Sequence, residues 1–346
     1  MNTESDAHSP IYKRLYERFR EDIVSFRLPP DTQIDSITEI EKKYRVGRET
    51  AKRVLSMLAN DGYIVQLRGK GSFVADLRPR QKIWGLIFPF YSIQYEELIT
   101  EIAGHATAQG RALQHFCNYN SYEEELRLVS KMLRERFEAV VVIPTLDESK
   151  TWDSFYSNLR TSECSVVFLD HTMTSSNYRY VVQSYDLGVT RALQYLLERK
   201  PGGVAFVENE VWAGRNMVLE LMRETYLKHL RMNRPEPPPL LLPRASLVRA
   251  ELLREHGITG VFCCDDTSAI QTIGRLREQG MRIPEEVNVV SYGNTCLARF
   301  FVPAITSVDP HNREMATLLS ALLDGNNAKQ AERQFVVQPE LVIRGT

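Results

Sequence analysis

No run of 18 or more apolar residues occurs in the 346-residue sequence, which excludes a transmembrane helix. The first ten residues, MNTESDAHSP, are polar and acidic with no apolar stretch, so no secretory leader is expected. Cysteine is scarce: five residues, at 117, 164, 263, 264 and 296, with no CxxC spacing. Most fall in or beside apolar runs, which points to buried free thiols in a reducing cytoplasm. The signatures of common catalytic sites are missing too. There is no HExxH, no GxSxG, and no zinc-ligand spacing among the seven histidines. Gly69-Lys70 lacks the upstream glycine and following Ser/Thr of a phosphate-binding loop. No catalytic residue, cofactor or metal is therefore expected.

What is present is unevenly distributed. The net charge of −1 hides residues 1–80, with 15 Lys/Arg against 12 Asp/Glu, and residues 81–346, with 28 against 32. Residues 42–80 alone hold ten basic and three acidic side chains. So concentrated a positive segment on a mildly acidic body suggests a nucleic-acid face.

The first eighty residues read as helix, helix, turn, helix and a two-stranded wing. Ser9-Pro10 starts a helix with Ser as cap and Pro in the first turn, and Ile11, Leu15, Phe19 and Ile23 follow at helical spacing. Leu28-Pro29-Pro30-Asp31 breaks it. A short helix fits 36–44, Val46-Gly47 is a turn, and a third helix fits 48–60 with Ala51, Val54, Leu55 and Leu58 on one face and Gly62 ending it. In GYIVQLRGKGSFV, 62–74, two short runs flank the tip Arg68-Gly69-Lys70-Gly71. A helix with Arg48, Glu49, Lys52 and Arg53 on its polar face suits the major groove. A glycine-rich tip with Arg68 and Lys70 suits phosphates or the minor groove.

These residues resemble the GntR family's winged helix-turn-helix over about 9–76. The motifs are Pro10-Ile11-Tyr12, Leu28-Pro29-Pro30-Asp31, Val46-Gly47-Arg48-Glu49-Thr50, Leu55-x-x-Leu58-x-x-Asp61-Gly62 and Gly69-Lys70-Gly71-Ser72-Phe73-Val74. The resemblance implies DNA contacts from Arg48, Thr50, Lys52 and Arg68, with Thr38 and Arg53 as further candidates. Two positions depart from the family pattern: Ile34-Asp35-Ser36-Ile37 stands for Leu-Pro-Ser-Glu, and Gly47 for Ser.

From residue 82 onward, short apolar runs alternate with helical patterns. Runs at 83–88, 113–117, 139–143, 166–169, 204–207, 261–264 and 287–292 read as strands buried on both faces. Intervening patterns at 96–109, 123–136, 187–198, 213–231 and 267–279 read as helices. This alternation predicts parallel sheets with helices on both faces, and the number of units predicts two lobes with a ligand cleft between them.

The region resembles the LacI/GalR effector domain, of periplasmic-binding-protein fold, over essentially 82–346. The strongest segments begin at Gly260, Leu276, Pro303 and Gln338, including Gly260-Val-Phe-Cys-Cys-Asp-Asp-Thr-Ser-Ala269 and Ile283-Pro284-Glu285. The combination looks like the arabinose-repressor type of bacterial regulator. The resemblance implies a sugar-like effector held by Ser92, Tyr95, Asp170, His171, Arg215 and Asp265, with Trp212 beside them; Asp266 is expected to cap the following helix. Where the family has an Asp after the late strand, this chain has Gly293, after Ser291-Tyr292, and Asp265 is the expected replacement.

The sequence thus predicts an α/β protein: a winged helix-turn-helix over 1–77, a linker over 78–82, and a two-lobed body of doubly wound parallel sheets over 83–346. The expected function is a ligand-responsive transcriptional repressor of a carbohydrate-utilisation operon, dimeric and cytoplasmic, on a pseudo-palindromic operator. A solute-binding protein without a regulatory role would need a leader and no basic segment. An enzyme joined to the DNA-binding segment, such as an aminotransferase, would need a larger second part and a Schiff-base lysine in context.

Overall fold

The computed structural model describes residues 10–25, 27–75, 77, 81–146, 155–156, 164–171, 178–209, 216–233, 237–324 and 334–346. The chain divides into two compact units, Met1–Pro79 and Arg80–Thr346.

In the first unit, α1 (Ile11–Val24), α2 (Ile37–Tyr44) and α3 (Arg48–Asn60) precede a hairpin of β1 (Ile64–Leu67) and β2 (Gly71–Val74). Ser9 lies outside the described residues; Pro10 is the flanking residue whose carbonyl accepts from the Lys13 and Arg14 amides, one place outside the expected first-turn position. Within the departing stretch 34–37 the serine is kept, and Ser36 and Glu39 form a reciprocal capping box at the start of α2. Gly47 supplies no such cap to α3. The apolar stripe of α3 is fully used, with Ala51, Val54, Leu55 and Leu58 buried against Leu15, Phe19 and Ile40. Burial of each larger aliphatic contributes about 1.5–3 kcal/mol. Gly62, at φ +76°, turns the chain from α3 into the wing.

The second unit contains two six-stranded sheets. The first runs β4-β3-β5-β6-β7-β13, with β3 Gln81–Phe88, β4 Ala112–Cys117, β5 Phe137–Val142, β6 Ser165–Asp170, β7 Tyr180–Gln183 and β13 Gln334–Val337. Every pairing in it is parallel. The second runs β9-β8-β10-β11-β12-β14, with β8 Gly203–Val207, β9 Leu240–Leu242, β10 Ile258–Cys263, β11 Asn288–Tyr292, β12 Thr306–Asp309 and β14 Glu340–Val342. Only β14 in this sheet is antiparallel to its neighbour. The unbroken apolar runs follow from this geometry, since a parallel strand covered on both faces has no solvent side.

The chain crosses between lobes three times. Helix Tyr185–Arg199 carries it from β7 into the second lobe and packs there on β10, β11 and β12. Helix Asn312–Leu323 returns and packs on the helix Ile93–Ala108 and on β6 and β7. Finally β13 leads directly to β14. The sequence reading missed β7, β9 and β12–β14, and the helix 312–323. Each of these strands is only three or four residues long, too short for a period to emerge.

Candidate functional site

Two places bring polar side chains together. The first is the exposed side of α3 and the wing. Arg48, Glu49 and Lys52 are exposed, Thr50 is half-buried, and Thr38 is exposed on α2. Arg48 and Lys52, four residues apart, share the helix side opposite Ala51 and Leu55. Arg53 is differently placed: its guanidinium lies 3.8 Å from the centre of the Tyr12 ring on α1. That stacking holds the arginine against the fold. Arg68 and Lys70 are exposed at the wing tip. The tip closes with the Lys70 amide donating to Leu67 O at 3.0 Å, and Gly69 and Gly71 take φ of +77° and +110°. Gln33 Nε2 donates to Lys70 O at 3.1 Å, pinning the tip to the preceding segment. Among the described residues, no carboxylate pairs with Arg48, Lys52, Arg68 or Lys70. The arrangement presents positive charge with no acidic partner among the described residues.

The second place lies between the two lobes. Asp170 ends β6, is buried, and takes φ +71°, a left-handed conformation that aspartate tolerates better than most side chains. Tyr185 Oη donates to its carboxylate at 2.9 and 3.0 Å, Gln183 Nε2 at 2.5 Å and Tyr95 Oη at 3.4 Å. His171 places Nδ1 3.4 Å from Asp170 Oδ2 and Nε2 3.0 Å from Pro144 O, so both ring nitrogens face acceptors. Burial pushes the Asp170 carboxyl up, but the His171, Gln183 and Tyr185 donors outweigh it and hold the group below its ordinary value. Burial and the nearby Asp170 charge drive the Tyr95 and Tyr185 hydroxyls well above theirs, so both remain proton donors. Tyr95, Asp170 and His171 are thus brought together as expected. Ser92 caps the helix 93–108, accepting from the Tyr95 amide. Trp212 and Arg215 lie outside the described residues.

Gln94, Gln183, Tyr185, Tyr292 and Asn312 also line this cleft, and none of them was among the expected effector residues. Gln183 and Asn312 sit on elements the sequence reading overlooked, β7 and the helix 312–323, whereas Gln94, Tyr185 and Tyr292 sit in or at the edge of elements it expected. The cavity they leave measures about 20 Å³. That is room for about one water, against the roughly 300–1,000 Å³ of small-molecule pockets. The lobes are drawn together here. Gln94 Nε2 donates to Tyr292 O at 3.2 Å, and Arg299 pairs with Glu97 across the cleft at 2.9 Å.

The two aspartates after β10 exchange the roles expected of them. Asp265 is the helix cap: Oδ1 accepts from the Ser268 amide at 2.6 Å and Oδ2 from Asn209 Nδ2 at 2.6 Å. Asp266, expected as the cap, is instead the first helical residue, and four donors converge on its buried carboxylate. Ser291 Oγ and Ser307 Oγ (2.8 Å) donate to Oδ1; the Thr295 amide and hydroxyl donate to Oδ2, both at 2.7 Å. It is also the carboxylate nearest Gly293. A Cβ on Gly293 would lie 3.3 Å from Asp266 Oδ2 and 2.8 Å from Gln94 Nε2, and the residue's φ is +126°. The carboxylate missing after β11 therefore has its neighbour in Asp266, not in Asp265. An aspartate at 293 would be strained and crowded.

One further buried acid went unread. Glu125 accepts from Tyr156 Oη and the Thr145 amide at 2.7 Å, and from Asn118 Nδ2 and Thr145 Oγ1 at 3.2 Å. It ties the ends of β4 and β5 together beneath the His171 side of the cleft. Burial pushes its carboxyl up, with the Tyr156 and Thr145 donors opposing. Among the described residues, no group of three or more His, Cys, Asp or Glu is placed to hold a metal, and no helix is long and apolar enough to cross a membrane.

Comparison with known proteins follows the two units. Residues 11–74 match the bacterial regulatory proteins of the gntR family, and residues 190–346 match a periplasmic binding protein-like domain. An arabinose metabolism transcriptional repressor from Halalkalibacterium halodurans is 22% identical, over 96% of this chain and 95% of its own length. The HTH-type transcriptional repressor PurR of Vibrio atlanticus is 25% identical over 73% of this chain and 77% of its own. Among solved structures, a periplasmic binding protein/LacI transcriptional regulator from Alkaliphilus metalliredigens, complexed with D-xylulofuranose, aligns with a TM-score of 0.63 at 16% identity, covering 77% of this chain and 99% of its own. A LacI family regulator from Enterococcus faecium with bound ribose gives 0.63 at 19%, over 76% and 97%. At these identities the structural likeness establishes the fold.

Proposed function

We propose, for a chain that joins a gntR-family winged helix-turn-helix to a periplasmic-binding-protein-like body, a repressor of a carbohydrate-utilisation operon controlled by a small sugar-like effector. The chain is a regulator of transcription, not an enzyme, as its relatives are. The observation that carries the finer reading is Asp170: a buried, left-handed carboxylate ringed by tyrosine, glutamine and histidine donors where the two lobes meet. A carboxylate accepts paired hydroxyls, and flat aromatic faces cover a sugar ring. Tyr95, Asp170 and His171 contact the effector, with Ser92 and Asp265 framing the cleft as helix caps. Arg48, Thr50 and Lys52 read base edges or phosphates in the major groove, with Thr38 beside them. Arg68 and Lys70 reach the backbone or minor groove, and Arg53 supports the helix through Tyr12.

The working form is a homodimer on a pseudo-palindromic operator, because one recognition helix reads only one half-site. Phe300 and Val302, 81% and 79% exposed, are large apolar side chains two residues apart on the second lobe. They suit burial against a second copy. The site of action is the cytoplasm, where the DNA is. Effector binding acts by favouring one lobe arrangement over another.

The test is selection of bound sequences from random duplex DNA by the purified full chain, followed by gel-shift titration with a panel of pentoses, hexoses and their phosphates. A two-fold symmetric motif, with affinity changed at least tenfold by one sugar, is the expected result. Absence of any enriched motif would remove the reading.

A further inference from the structure

The hydrogen bonds around Asp170 have a direction that carries across the cleft. Gln183 ends β7 in the first lobe, and Tyr292 ends β11 in the second. The side-chain amide of Gln183 spans the gap: Nε2 donates to Asp170 Oδ1 at 2.5 Å, and Oε1 accepts from Tyr292 Oη at 2.7 Å. The orientation of that amide is forced. An ionised carboxylate only accepts, so the NH₂ end must face Asp170, and the oxygen is left for the tyrosine. Nε2 also lies 3.1 Å from Tyr185 Oη, which spends its own proton on Asp170. Tyr292 is 2% exposed, so loss of the Gln183 acceptor is not made up by bulk solvent.

The Tyr292 ring is held for this contact. It stacks on Tyr185 at 5.5 Å between ring centres and 22° between planes. Gly188 makes room for it, because a Cβ there would stand 2.7 Å from the ring. Gln94 holds the backbone carbonyl of the same residue. The first lobe thus grips Tyr292 at both its hydroxyl and its carbonyl.

We propose that Gln183 is the positioning residue that transmits occupancy of Asp170 to the second lobe. This rests on the reading of the cleft as the effector site. An effector hydroxyl that donates to Asp170 Oδ1 displaces Gln183 Nε2. The freed amide no longer has a fixed orientation, Tyr292 loses its acceptor, and the interlobe contact opens. Arrival of the ligand at one lobe is thereby read by the other through a single amide. Gln183 is not required to touch the effector.

Hydrogen exchange on the full chain, without DNA or sugar, tests this, so its failure is distinct from failure of the repressor reading. Gln183→Leu keeps the bulk and removes the bonds to Asp170, Tyr185 and Tyr292; Tyr292→Phe removes only the far hydroxyl and keeps the test alive if the first variant does not fold. Each should speed exchange about tenfold in peptides covering 288–295 and 93–98, on both sides of the cleft, as loss of one net hydrogen bond allows. The double variant should exchange no faster than the faster single one, because both break the same connection. Faster exchange confined to β7, unchanged exchange, or additive effects in the double variant would each overturn the proposal.

Discussion

The α3–wing surface gathers cations and the interlobe cleft gathers carboxylates with their donors, and the two use their polar side chains in opposite ways. On the first, Arg48, Lys52, Arg68 and Lys70 stand exposed, with no described carboxylate beside them. In the second, Asp170, Glu125 and Asp266 are buried, and each of these three carboxylates has three or more donors. Unspent surface charge is free for a partner and adds little to stability. Buried, satisfied charge is structural until something displaces a donor. Substitutions should therefore separate: those on the wing surface should alter DNA affinity at constant stability, and those around the cleft should alter stability and effector response together.

The largest effect is expected at Asp266. Asp266→Ala would leave the buried Thr295 amide without its acceptor and should cost about 3 kcal/mol or more, read as a lower midpoint in urea at unchanged slope. Asp266→Asn should be milder, since the Ser291 and Ser307 hydroxyls can rotate to accept. Its pH dependence has a definite sign. Burial, opposed by the Ser291, Thr295 and Ser307 donors, raises the carboxyl above its ordinary 3.8. A raised folded value means the folded state binds more protons, so this group's contribution is present at pH below 3.8 and is lost as pH rises through the raised value. The stability difference between wild type and Asp266→Asn should therefore shift in favour of Asn as pH rises through that window. A difference independent of pH would break the assignment.

Asp170→Ala comes next. It should abolish the effector response while retaining operator binding, and should cost roughly 1–3 kcal/mol, because Tyr185, Gln183 and His171 lose a buried acceptor. Full effector affinity by calorimetry would remove Asp170 from the site.

On the other surface, Arg48→Ala should weaken operator binding by about 1–3 kcal/mol in a base-selective way, with the melting temperature unchanged. Lys70→Ala should give a smaller, uniform loss and a shallower salt dependence. Arg53→Ala would sharpen the comparison from the other side. Its stacking on Tyr12 predicts a small loss of stability, about 0.5–1 kcal/mol, and little change in base preference. Gel shifts at several salt concentrations, with thermal melts of the same proteins, separate these outcomes.

The contrast also explains what could be read from the chain before folding. The third helix was expected over 48–60 and is found there, because Ala51, Val54, Leu55 and Leu58 set its period and Gly62 stops it. Its polar side needed no further information, since whatever is not inward on a helix points out. The cleft was legible where a strand end coincided with a longer apolar run, as at Val166–Asp170, and at the helix start carrying Ser92 and Tyr95. Gln183 and Tyr292 lie 109 residues apart in the chain and meet across the gap between the lobes, a connection no local pattern encodes. Asp265 and Asp266 are adjacent, and composition gives no reason to choose which of them caps the helix. Backbone direction at the end of β10 decides it.

The central claim is that one chain couples DNA reading to occupancy of the Asp170 cleft. Its most direct test is the operator dissociation constant of the full protein at constant salt, with and without a sugar that binds it, for wild type and Asp170→Asn. The account predicts at least a tenfold change for wild type and none for Asp170→Asn, with equal affinity of both for DNA alone. An equal sugar response in the two proteins would contradict it.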